Sequence, residues 1–171
     1  MKITLRYGGT LDDASRVPRL QEDFQDIAAI HGWPVDLLER TSAAPRRGFG
    51  AATLAPPAAL FGLKVFIHPQ TDPLWLTFDE TGILTRLGQV PGRMAGFGVR
   101  EAVASLALLG DLRQPEASMQ TSIGGAALHR TVVGLLDYLK RAYMRDLRVT
   151  DETGYWLGRD DAALSRLMDG R

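Results

Sequence analysis

Between residues 61 and 88 the chain reads "FGLKVFIHPQTDPLWLTFDETGILTRLG", three strand-like runs separated only by turn residues. Strands joined this closely pair antiparallel, because a parallel pairing needs a crossover of about a dozen residues or more. The residues of "PQTD" with Pro73, and then "DETG", supply the turn chemistry, so the spacing predicts an antiparallel meander. That meander argues against a parallel doubly wound fold.

The flanking segments add helices. Residues 2 to 7, "KITLRY", set Ile3, Leu5 and Tyr7 against Lys2, Thr4 and Arg6 with the period of a half-buried strand. Val17, Leu20, Phe24, Ile27 and Ala28 recur at three and four, which predicts a helix over 16–31 with Ser15 as its cap and Gly32 at its end. "WPVDLLER" reads as a short strand after it. Leu128, Val132, Leu135, Leu139 and Tyr143 make one helical stripe, with Thr121 or Ser122 available to cap its start. "DLRV" resumes a strand, "DETG" at 151 makes a turn, and Asp160 is placed to cap a last helix carrying Leu164, Leu167 and Met168. Irregular loops are expected near 41–59 and 88–98, with a helix permitted by Val99, Val103, Leu106 and Leu109. The expected fold is a single α+β domain, residues 1–171, with a mainly antiparallel sheet and helices packed on one face.

Composition narrows the function classes. A chain of 171 residues buries about 70% of the surface its unfolded form exposes. With 45% hydrophobic and 23% charged residues it has the make-up of a folded globular protein. Lys+Arg and Asp+Glu are both 20, so no global positive field draws it to nucleic acid or to an anionic membrane. The absence of cysteine excludes disulfides, thiolate nucleophiles and Cys-based metal sites. No apolar run approaches the roughly 18 residues of a spanning helix, so a cytoplasmic protein is expected, with no cofactor.

The segments "GLKVFIHPQTDPLWLTFDETG" and "TSIGGAALHRTVVGLLDYLKRAYMRDLRVTDETGYW" resemble, over roughly residues 60–160, a bacterial family of uncharacterised proteins. Its members look like Lys-Thr-Gln ahead of a glycine and a helix-borne histidine, then a helix, then an acidic turn leading to Tyr-Trp. Thr121, Gly125, His129, Asp151, Glu152, Tyr155 and Trp156 match, while Gln120 and Ser122 stand where the family has Lys and Gln. No activity is attached to that family, so the resemblance implies a shared fold and marks this polar set.

Two function classes follow. The first is a non-catalytic binding or interaction module, with another protein or a second copy as partner and Thr121, Gly125, His129, Tyr155 and Trp156 as contact residues. Tryptophan and tyrosine beside turns suit interface centres. The second is a small hydrolase, divalent-metal-assisted, built on His129, His68 and Asp151 or Glu152. No histidine pair has the i, i+4 spacing of a metal motif, and no Gly-x-Ser-x-Gly elbow is present. Thr121 or Ser122 lies seven or eight residues before His129, two turns away on a continuous helix, out of hydrogen-bond reach unless the chain bends first. "GGT" at 8 to 10 and "GFGVRE" at 96 to 101 lack the dinucleotide fingerprint. The first class is expected, with His129 orienting its helix and bonding a neighbouring strand or turn.

Overall fold

A computed structural model describes residues 2–38, 60–87 and 113–170. The alternation in "KITLRY" becomes strand β1, Thr4–Gly8, and the three-and-four stripe becomes helix α1, Val17–His31. Then come β2, Val35–Leu38, β3, Phe61–Val65, and β4, Leu74–Phe78. Two short strands follow, β5, Arg86–Leu87, and β6, Arg113–Gln114, then β7, Ala117–Gln120. The long helix α2, Gly125–Ala142, leads to β8, Arg148–Asp151, and the chain closes with α3, Tyr155–Gly158, and α4, Asp161–Asp169. This is an α+β fold whose described strands all pair antiparallel.

The strands form two three-stranded sheets, β2-β3-β4 and β7-β1-β8, together with the β5-β6 pair. The expected meander is present as β3 and β4 with Leu84 bridged back to Phe78. The run "ILTRLG" then leaves β4 and pairs with β6 at Arg86 and Leu87. Strand β7 was not expected. Only Ala117 and Met119 mark its alternation, too short a pattern to separate from a loop.

Ser15 does not cap α1: its backbone N–H and hydroxyl both donate to Asp13 Oδ1, and Asp13 caps the 3-10 turn Ala14–Arg16 instead. Gly32, left-handed at φ 68°, ends α1 as expected. Asp160 caps α4, accepting from Ala163 N at 2.8 Å. The loops near 41–59 and 88–98, the helix suggested around 99–109, and Arg46, Arg47 and Phe49 lie outside the described residues.

The core gathers Leu5 and Tyr7 of β1, Leu20 and Phe24 of α1, Leu63 and Val65 of β3, Leu74, Leu76 and Phe78 of β4, and Val132, Leu136 and Leu139 of α2. The helices are tied to each other by Asp23, whose Oδ2 accepts from both Tyr138 (2.6 Å) and Tyr143 (2.5 Å). Those two hydroxyls hold the Asp23 carboxyl below its usual range. No described helix is long and apolar enough to cross a membrane.

The sheets are joined by Tyr7. In the β3–β4 ladder Trp75 stands opposite Lys64, and the Tyr7 hydroxyl accepts from Trp75 N–H at 2.9 Å and donates to Trp75 C=O at 3.1 Å. One side chain thus does at that position what a further strand would do. Next to it, Leu84 N donates to Gly9 O and Leu11 N to Gly82 O, so the chain after β1 zips onto the β4 hairpin. Burial raises the Tyr7 hydroxyl well above the ordinary tyrosine range, against the lowering pull of its bond to Trp75. A raised tyrosine contributes stability that is complete below its unfolded pKa of about 10 and is lost as pH rises through and beyond it. Tyr7→Phe keeps the ring and strips the hydroxyl, so it is expected to cost about 1–3 kcal/mol, read as a lower urea midpoint at unchanged slope. The same variant should lose part of the alkaline fall in stability. A midpoint equal to the parent's would mean that Trp75 finds other partners.

Candidate functional site

Strand parity builds the site. Ile3, Leu5 and Tyr7 of the first strand segment share one face, point into the core and are buried. Asp151 is the register partner of Leu5 across β8, and Thr121 N donates to Ile3 O at the end of β7. Side chains opposite one another share a face, so Thr121 and Asp151 flank β1 on its helix-facing side. There His129, one turn into α2, comes down between them.

Thr121 Oγ1 lies 2.9 Å from His129 Nδ1, while His129 Nε2 lies 3.2 Å from Thr153 Oγ1 and 3.4 Å from Asp151 Oδ2. The Thr153 hydroxyl gives its proton to Asp151, at 2.7 Å to Oδ1 and 2.9 Å to Oδ2. Having one proton, it meets the imidazole only as an acceptor. Nε2 therefore carries the imidazole proton, Nδ1 is bare, and the Thr121 hydroxyl donates to it. Asp151 further accepts from Thr153 N at 2.8 Å and Trp156 N at 2.7 Å. Thr153 Oγ1 also takes the Tyr155 N–H at 3.1 Å, and the Tyr155 ring stands edge-on to the imidazole at 5.9 Å.

The chain bends ahead of the helix, which brings Thr121 within reach. Ser122–Gly124 form a 3-10 turn and Gly125 takes φ 66°, ψ −165°, a conformation open to glycine alone. A Cβ there would lie 2.6 Å from Asp169 Oδ1, the atom that accepts from Ala126 N at 3.0 Å. The expected capping of α2 by Thr121 or Ser122 is therefore corrected: Gly124 holds the N-cap position without a side-chain bond, and Asp169 from α4 serves the first turn. The expected bond from His129 to a neighbouring strand and turn is present.

Thr121 and His129 are both 0% exposed. Burial lowers the His129 pKa and outweighs the nearby Asp151 carboxylate, so the imidazole is neutral near pH 7 and its contact with Asp151 is a hydrogen bond rather than an ion pair. Burial by itself raises Asp151, but the Thr153 hydroxyl and the backbone N–H groups of Thr153 and Trp156 prevail and hold it below the usual carboxylate range.

The other candidates separate from this set. His68 sits in the turn after β3, where its Nδ1 accepts from Gln70 N at 3.2 Å and its carbonyl from Thr71. Glu152 is exposed and accepts from Thr4 N at 3.2 Å. Among the described residues no group of three or more His, Asp or Glu is placed to hold a metal ion. Tyr155 and Trp156 are half-buried, with the Arg159 guanidinium 5.0 Å from the Trp156 ring centre. The amides after β1 that "GGT" offered are used within the fold: Thr10 N donates to Asp146 Oδ1 at 2.9 Å. "GFGVRE" lies outside the described residues. Thr153 was missed; the signal for it was "DET", an Asp two residues before a Thr, the spacing of an Asx turn. No protein-family model, curated protein or solved structure matches the chain.

Both titrating groups have depressed folded pKa values, so each contributes stability that is present above its unfolded pKa and lost as pH falls. For His129 the loss begins near pH 6.5, and for Asp151 near 3.9. His129→Gln is expected to cost about 1–3 kcal/mol by disturbing the polar set. It should also flatten the stability profile between these two pH values. Urea unfolding of both proteins across that window reads this; a parent whose stability is flat there would mean that its imidazole is not held neutral.

Proposed function

We propose that this chain is a non-catalytic interaction module, and that its contact face surrounds the Tyr155–Arg159 segment. The observation that carries the reading is the closure of the His129 set. Its polar atoms find partners within it, and Thr121 and His129 have no exposure through which a substrate would reach them. Such an arrangement fits a device that fixes α2 against β7 and β8.

Outside it, Leu157 is 87% exposed between the half-buried Trp156 and the Arg159 guanidinium. Ile123 and Leu167, each 46% exposed, lie on the two segments that the Ala126–Asp169 bond joins. Exposed apolar surface marks interaction sites, and tryptophan, tyrosine and arginine beside it are the residues enriched at interface centres. We take a second copy of the chain as the occupant: the formal net charge is zero, so copies do not repel each other strongly, and a two-fold pair would cover this patch on both. A cytoplasmic setting accords with the absence of cysteine.

The second reading, a hydrolase, draws support from the line Thr121 hydroxyl, His129 imidazole, Asp151 carboxylate, which has the order of nucleophile, base and orienting acid. Burial of Thr121 opposes it. Labelling of Thr121 by a fluorophosphonate, lost in His129→Gln, would favour the hydrolase over the module.

Sedimentation across a range of concentrations tests the module. The parent is expected to associate to a dimer, and Leu157→Asp to remain monomeric with its melting temperature within about 2 °C, as for an exposed substitution. A parent that stays monomeric throughout would remove the second copy as occupant.

A further inference from the structure

We propose that the outer face of the β7-β1-β8 sheet binds the phosphate of a small, hydroxyl-bearing phosphate monoester. This face is separate from the Leu157 patch and does not depend on it. The parity that sends Leu5, Tyr7 and Met119 inward sends Thr4, Arg6, Ser118, Gln120, Arg148 and Thr150 outward. No apolar side chain stands among these six.

Arg6 is opposite Ser118 on one side and Thr150 on the other, and Arg148 is opposite Gly8, diagonal to Arg6. Diagonal neighbours of this kind are about 7–8 Å apart, within reach of two long side chains converging on one group. Gly8 puts no side chain between them. Arg6 and Arg148 are exposed, and beyond their backbone ladders neither guanidinium has a hydrogen bond or an ion pair with a described residue. They line a cavity of about 490 Å³ with Gln114, Ser118 and Glu116.

Arg86 sets the polarity of the two neutral members. Its Nη1 donates to Ser118 Oγ at 3.3 Å and its Nη2 to Gln114 Oε1 at 2.9 Å. With those oxygens already accepting, Ser118 retains its O–H and Gln114 its N–H groups for an incoming ligand. Arg86 Nε is itself buried without a partner. The cavity therefore offers two free guanidinium forks, a hydroxyl and an amide, all as donors. A phosphate, with several acceptor oxygens and no donor need, matches that set, and arginine forks bind it in bidentate fashion. Glu116 is the acceptor in the same lining and opposes an anion, but two arginines outweigh one carboxylate; it suits a hydroxyl on the organic part of the ligand.

The test is a titration of the full chain with glycerol phosphate, inorganic phosphate and glycerol, followed by amide NMR shifts. Saturable shifts are expected at Arg6, Gln114, Ser118 and Arg148 with glycerol phosphate, weaker ones with inorganic phosphate, and none with glycerol. Arg148→Gln and Arg6→Gln should each weaken binding about tenfold or more, the effect of losing one charge-assisted bond. Arg148 lies exposed on the edge strand β8, so its variant reports binding even if Arg6→Gln disturbs the fold. Absence of saturable shifts, shifts equal in the parent and both variants, or a response to a single-stranded oligonucleotide without one to glycerol phosphate would each overturn the proposal.

Discussion

The Tyr7 hydroxyl is the link on which the arrangement of the sheets depends. A backbone N–H and C=O that face away from their ladder need a partner when they are buried, and Trp75 finds both partners in one oxygen. That bond holds β1 against β4 while β1 keeps its own two neighbours, β7 and β8. With β1 fixed as the central strand of its sheet, the ends of β7 and β8 must lie on either side of it, and a helix packed on that face must meet them.

His129 meets them. The group it joins has residue types common in active sites and the burial of a core. A neutral imidazole with a hydroxyl on one nitrogen and a hydroxyl and carboxylate on the other is fully satisfied without solvent. In a low-dielectric setting such a set is rigid, because removing one member leaves the others unpaired at high cost. The outcome is a stiff platform with two distinct outer surfaces: the apolar and aromatic turn at Tyr155–Arg159, and the arginine-bearing back of the β7-β1-β8 sheet. The contrast between them follows from parity and from where helices cover the sheet.

Much of this was legible in the chain. The stripes of α1 and α2, the alternation of β1, the β3–β4 hairpin, the acidic turn after β8 and the cap at Asp160 are local patterns, and local patterns survive folding because backbone geometry imposes their periods. The site was half legible. His129, Thr121 and Asp151 stand out by residue type, but the sequence offers Thr121 only as a cap, since counting along a continuous helix puts it two turns from His129. The 3-10 turn and the positive φ of Gly125 cancel that count. Thr153 stayed hidden because a threonine in a turn is common, and β7 because two apolar residues make a weak alternation.

The sequence by itself determined the class of fold, the inward or outward sense of the β1 residues and the buried stripes of α1 and α2, because side-chain periods of 2 and 3.6 are properties of the backbone. Only the tertiary structure decided that Thr121, His129, Thr153 and Asp151 meet while His68 and Glu152 stand apart, and that Asp169 serves the start of α2 from 43 residues away. These pairings span loops and sheets, and their distances are set by how the elements pack, which no local pattern encodes. The same packing put the histidine under cover and left Arg6 and Arg148 in the open.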